Sequence, residues 1–263
     1  MAALLNPRPK SAPILLAIDT SSGVTSLCVT RQGEVVKSVS VGFDEDRSEK
    51  LWLEIDLLVR DAGITIQDLD LFAVCVGPGG FTGLRVGMAA AKGFAVAANK
   101  PMIGVTSLEA AAANVKSTRP VLAILNAYKG EVYSQLFSAN GQRGVVAENE
   151  PLVSTLGLAL ERVAHIDQVV FAGDAAIENA KAITEFASES RRDGSSQTSR
   201  AWSIGSPVSP AEGVARLALM RYLKGEAETP ESVAACYVRR AEAELKLAKG
   251  LLGSKIDRVR RRI

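Results

Sequence analysis

The sequence predicts an α/β protein of two similar lobes, and three observations predict it. The stretch "PILLAIDTSSG" at Pro13–Gly23 returns as "PVLAILNAYKG" at Pro120–Gly130, without a gap and at an offset of 107 residues. A second pair follows in the same order, "LFAVCVG" at 71–77 and "QVVFAGD" at 168–174, each ahead of a helix. Each half also opens on a strand meander and continues through strand–helix crossovers, the pattern of a sheet flanked by helices. Two matched pairs in one order indicate an internal duplication.

The elements follow in chain order. "ILLAIDT" is a short buried strand, and "TSLCVTR" and "EVVKSVSV" complete a meander through the turns "SSG" and "QG". Residues 48–62, "SEKLWLEIDLLVRDA", set Leu51, Ile55, Leu58 and Val59 at helical spacing, and Gly63 ends that helix. "DLDLFAVCVG" is again a buried strand, followed by a glycine turn and an alanine-rich helix. "MIGVTS" and a helix from Ser107 to about Val115 close the first half. In the second half, helices are expected over Ala175–Phe186 and Pro210–Leu223, with Pro210 at the favoured first position. "CYVRRAEAEL" reads as a last short strand. The Ser-, Arg- and Gly-rich stretch 188–210 reads as a long exposed loop. The domains are therefore a disordered extension over 1–13, an N-terminal lobe over 14–117, a C-terminal lobe over 118–245 and a basic tail over 246–263.

Composition excludes several classes. With 47% hydrophobic and 23% charged residues, the chain is an ordinary globular one. Residues 239–263 hold nine Lys/Arg against three Asp/Glu, so the net charge of +2 conceals an acidic body with a basic end. Cys28, Cys75 and Cys236 are scattered and odd in number, against a disulfide framework or a zinc site and in keeping with a reducing cytosol. No apolar run reaches the length of a membrane span, so the expected location is cytoplasmic.

The glycine turn "VGPGGFTGLRVG" invites a phosphate, but it is neither of the common phosphate loops. No Lys-Ser/Thr pair follows its last glycine, and Thr82 stands where G-x-G-x-x-G needs its third glycine. Gly77, Gly79, Gly80 and Gly83 permit a tight turn at a helix start. Thr82 is a candidate N-cap, with Phe81 and Val86 as a hydrophobic staple. The turn can offer N–H groups weakly to an anion, or serve only close packing of the helix on the sheet. Asp19 and Thr20 end the first strand. A carboxylate there can order a metal-bound water, but its counterpart Asn126 carries no charge, and an Asx turn into the hairpin is the preferred reading. The single histidine, His165, cannot form a metal pair, and no G-x-S-x-G is present. The residues thus point to no catalytic group and no metal site.

The helix after the turn is the stronger signal. Small residues recur at Gly83, Gly87, Ala91 and Ala95, and a second stripe runs Val86, Ala90, Gly93, Ala97. Lys92 is the only charge between Val86 and Ala98. A helix without a polar side is covered all round. The first stripe is expected against the sheet and the second against another subunit, with the 48–62 helix and its Trp52 alongside, the alternative being burial under the second lobe.

The stretches "ILLAIDTS", "VGPGGFTGLRVGMAAAKGFA", "PMIGVTSLEAAA", "KGEVY" and "CYVRRAEAEL" resemble, in order and spacing, the TsaB family of bacterial tRNA threonylcarbamoyladenosine biosynthesis proteins. The resemblance runs from about Ile14 to Leu245. It implies an actin/Hsp70/sugar-kinase-like (ASKHA) fold of two duplicated lobes and a non-catalytic subunit. That subunit pairs with and activates the catalytic paralogue TsaD, together with the ATPase TsaE, for threonylcarbamoyl transfer to the adenosine beside the anticodon. It further implies a homodimer and a heterodimer built on the first two helices, and contact with tRNA only through the complex. The interface residues it implies are Leu51, Trp52 and Ile55 on the first helix. On the second they are Arg85, Val86, Met88 and Ala89, then Ala90, Lys92, Gly93 and Ala97. No cofactor is required by the chain itself, though ATP or ADP at the seam between subunits fits the resemblance. Any nucleotide or phosphate site in the chain would draw weakly on Asp19, Thr20, Gly77, Gly79, Gly80 and Thr82. The chain departs from the family pattern at Arg47, where a histidine is common, and at Asn126 and Tyr128, where an acid and a base are common. The competing reading is an active ATP-dependent small-molecule kinase of the same fold.

Overall fold

The structure is a computed structural model, and it describes residues 13–42, 47–139, 144–188, 200–206 and 208–238. Strands β1 (Ile14–Asp19), β2 (Val24–Arg31) and β3 (Glu34–Gly42) form the antiparallel meander. β4 (Leu71–Gly77) lies parallel to β1, and β5 (Met102–Thr106) parallel to β4, giving the order β3-β2-β1-β4-β5. The second sheet repeats the scheme. β6 (Val121–Asn126) and β7 (Glu131–Ala139) are antiparallel, and β8 (Val145–Ala147) and β9 (Leu152–Thr155) share the outer edge of β7. β10 (Val170–Ala172) and β11 (Ser203–Ile204) run parallel to β6 on its other side. β1 and β6 start and end 107 residues apart, as the repeat requires.

Alternation along each strand feeds two cores per sheet. On one face of the first sheet, Leu16, Ile18, Phe72 and Val74 meet α1 (Arg47–Asp61) and α2 (Phe81–Ala98). On the other face, Leu15, Ala17, Ala73 and Cys75 meet α7 (Pro210–Leu223) and part of α3 (Ser107–Asn114). The remaining face of α3, with Leu108 and Ala112, packs on Val121, Ala123 and Phe137 of the second sheet. The outer face of that sheet is covered by α4 (Leu156–Val163), α5 (Asp174–Glu178) and α6 (Ala180–Ser188). The molecule is a stack in which α3 and α7 form a shared middle layer.

Several sequence-based expectations change here. α7 belongs to the first lobe, although chain order assigns it to the C-terminal one. Gly213 lets it approach so closely that a Cβ would overlap the Ala110 carbonyl of α3. One carboxylate fastens the middle layer. Glu109 Oε2 accepts from the Thr106 backbone N–H at 3.1 Å, completing a capping box on α3, and its Oε1 accepts from Arg221 at 2.7 Å. The single helix expected over 175–186 is two, α5 and α6, broken at Asn179. The stretch 188–210 begins within α6 and contains β11, while 189–199 and 207 lie outside the described residues. Of the extension 1–13 only Pro13 is described, and it is buried, so it belongs to the lobe. The strand expected at "CYVRRAEAEL" does not form over Cys236–Val238, and 239–263, the basic tail included, lie outside the described residues.

Candidate functional site

Two places bear on function: the cleft between the lobes and the outer face of α1 and α2. The cleft encloses about 630 Å³. β1 and β6 end there, because the duplicated strands point their C-terminal ends at the same gap. Asp19 lies in its floor, 2% exposed, and its Oδ1 accepts from Ser21 N–H at 2.8 Å. This is the Asx turn expected from the sequence. Burial pushes the Asp19 carboxyl above its ordinary pKa; hydrogen bonds from Ser21 oppose that rise, and Asp174 across the cleft adds to it. Asp174 was not apparent in the sequence. It follows Gly173, which has φ +104°, as has Gly77 at the matching strand end; in the sequence the only trace of this is a glycine closing each apolar run. Asp174 Oδ1 accepts from Asn126 N–H at 3.0 Å, and Asn126 Nδ2 donates to Glu178 at 3.1 Å.

The proposed phosphate residues do not converge. Only Asp19 and Gly79 line the cleft. The Gly80 N–H donates to the Ser21 carbonyl at 2.7 Å, and a Cβ on Gly79 would overlap that same oxygen. The glycine turn is therefore filled by the hairpin beside it. Thr20 sends its hydroxyl to the Gly83 carbonyl at 2.7 Å, and Gly77 packs against the Cys236 carbonyl. Thr82 is exposed and is not the cap: the N-cap is Gly80, which makes no side-chain cap. A magnesium–nucleotide, which the fold class implies, does not fit these residues. Among the described lining residues there are Asp19, Asp174 and Glu178 but no Lys, Arg or His. Among the described residues no group of three or more His, Cys, Asp or Glu is placed to hold a metal ion. His165 is exposed in the turn after α4 and does not line the cleft.

The helical face is different in kind. The stripe Gly83, Gly87, Ala91, Ala95 is buried against the sheet, as expected. The outer stripe is displaced from the expected one. Ala90 and Met88 are buried, at 2% and 8%, and Val86 and Lys92 are half-buried. Gly93 and Ala97 of the expected stripe are exposed, as are Arg85 and Ala89, and Val96 joins them. On α1, Leu51 and Ile55 are fully buried, because their spacing of four places both over Leu16 and Phe72 in the core. These four inward residues offer no surface to a partner. Trp52 at 47%, Leu53 at 63%, Leu57 at 54% and Val96 at 60% exposure do, and of these the sequence points only to Trp52. Trp52 leans on Phe94 at 4.8 Å between ring centroids and lies beside Gly93, which joins the two helical faces. Among the described residues no helix is long and apolar enough to cross a membrane.

A duplicated pair of sheets, a cleft at the strand ends and a helical layer on each outer side define a two-lobed protein of the ASKHA fold. The solved structure of YeaZ from Pseudomonas aeruginosa shares that fold at a TM-score of 0.65 and 23% identity, covering 86% of this chain and 99% of that one. A family model described as TsaD, tRNA N6-adenosine threonylcarbamoyltransferase, matches residues 44–242. The chain belongs to that family, in its TsaB (YeaZ) group. It is 32% identical to the tRNA threonylcarbamoyladenosine biosynthesis protein TsaB of Bacillus subtilis over 47% of this chain and 54% of that one. With TsaB of Escherichia coli the identity is 34%, over 45% and 52%. The chain spans about half the length of the curated relatives it matches.

Proposed function

We propose that this chain acts in tRNA threonylcarbamoyladenosine biosynthesis as an accessory subunit without catalytic groups of its own. In this reading it docks a TsaD-like catalytic subunit through the α1–α2 face and activates it. A TsaE-like ATPase joins the same assembly, the face also serves a homodimer, and any ATP or ADP sits at the subunit seam. The names of its relatives support the pathway. The observation that carries the pairing is the exposed apolar face of Trp52, Leu53, Leu57, Gly93 and Val96, which a monomer has no reason to leave in water. The kinase reading is the weaker one, because among its described lining residues the cleft offers carboxyl groups and no cation to a polyphosphate.

The test is co-purification with a TsaD-like partner. Gly93→Glu and Val96→Glu lie on exposed positions and should leave the isolated chain folded. Each places an unpaired charge in the covered interface, at a cost of a few kcal/mol, so affinity should fall by about a hundredfold or more. An unimpaired complex from both variants, at unchanged melting temperature, overturns the pairing.

A further inference from the structure

We infer that the interlobe cleft binds an uncharged, hydrogen-bond-donating small molecule of nucleoside class, and discriminates against its phosphorylated forms. The cleft has the size of a small-ligand site. Its rim holds four large apolar side chains left exposed by the fold: Val24 and Val208 on one side, Tyr128 and Ile177 on the other. Such a rim suits a flat apolar body. The ionisable acids within are Asp19, Asp174 and Glu178, with no Lys, Arg or His among the described lining residues. Asp174 and Glu178 each use one oxygen on Asn126, and their second oxygens accept nothing from the described residues. Asn114, also in the wall, donates from Nδ2 to the Ser209 carbonyl at 3.1 Å, while its buried Oδ1 has no partner. An orphaned buried acceptor calls for a donor.

The same inventory repels phosphate. No described cation lines the cleft, and the Gly80 N–H of the glycine turn is spent on the Ser21 carbonyl. Sugar hydroxyls and an exocyclic amine match these acceptors, whereas a triphosphate would face three carboxyl groups. Tyr128 marks the entrance. It stands in the left-handed region at φ +61°, followed by Lys129 at +57°, and its hydroxyl reaches across to Gly80 of the first lobe. Both angles belong to the tight turn from β6 to β7, in which the Glu131 N–H donates to the Tyr128 carbonyl at 3.1 Å, and that turn fixes Tyr128 at the entrance.

The inference concerns the cleft and not the α1–α2 face, so it and the pairing can fail separately. The test is calorimetric titration of the full chain with adenosine and with magnesium-ATP. Adenosine should bind, with ATP at least about tenfold weaker. Tyr128→Ala and Glu178→Gln, both at exposed positions, should each weaken adenosine by a few-fold or more without lowering the melting temperature. Glu178→Lys should narrow the gap between the two ligands. The inference is overturned if ATP binds as well as adenosine, if neither binds, or if adenosine affinity is unchanged in both weakening variants.

Discussion

Asp19 shows what a single buried carboxyl does here. The first strand ends in the cleft floor, so the side chain is taken from water and held by hydrogen bonds from Ser21 and, more weakly, the Cys75 thiol. Its pKa is raised from 3.8, chiefly by burial. The folded chain thus holds this proton more tightly than the unfolded one. Its contribution to stability is full below pH 3.8 and is lost as pH climbs through the raised folded value. Asp19→Asn keeps an oxygen for the Ser21 N–H and removes the ionisation. The variant should melt higher than the native chain at neutral pH, and the difference should vanish in acid. Melting curves in parallel across pH would refute this account. Cys75, beside it, is likewise pushed up by burial and by the Asp19 charge, so it sits in the core as an inert thiol.

At the scale of elements, α2 carries two opposite demands, and its glycines separate them. A Cβ on Gly87 would overlap the Thr20 hydroxyl, which already donates to Gly83 and fixes the helix on the sheet. A Cβ on Gly93 meets nothing nearer than Trp52, at 4.0 Å. Gly87→Ala should therefore destabilise by about 1–3 kcal/mol through overpacking. Gly93→Ala should stabilise by up to about 1 kcal/mol through helix propensity. Denaturant titration of the two variants reads both, and a like sign in the two would show that the helix is seated otherwise. That split between a sheet-facing and an outward stripe was legible in the sequence because small residues recur at four-residue spacing. Which residues form the outward stripe was not: Ala90 and Met88 turn inward by a rotation that spacing alone does not fix. The strands of the duplication were legible because buried alternation repeats with Pro and Gly at matching positions. β8, β9 and β11 were not, being short edge strands in polar stretches. Asp174 is not legible from the repeat, which pairs Asp19 with Asn126, whereas the second lobe places its carboxylate one strand further on.

At the scale of the molecule, α3 and α7 decide how the lobes behave. α3 presents Ala110 and Ala113 to the first lobe and Leu108 and Ala112 to the second. α7, from the far end of the described chain, covers the first sheet. It is anchored by the Ser26 hydroxyl, which accepts from the Ala211 N–H at 3.1 Å in place of a local cap, and by Arg221 on Glu109. Neither sheet has a complete inner core without this layer, so separating the lobes would expose both. The chain should then unfold as one cooperative unit despite its duplicated plan. Its two tryptophans make the point measurable, since Trp52 packs against Phe94 in the first lobe and Trp202 against Phe171 and Phe186 in the second. With Trp52→Phe and Trp202→Phe made separately, the remaining tryptophan reports one lobe each. Referred to the circular dichroism of the same variant, both fluorescence transitions should coincide with the loss of secondary structure. A transition that precedes it in one variant would mean that the lobes unfold in sequence and that the middle layer does not couple them.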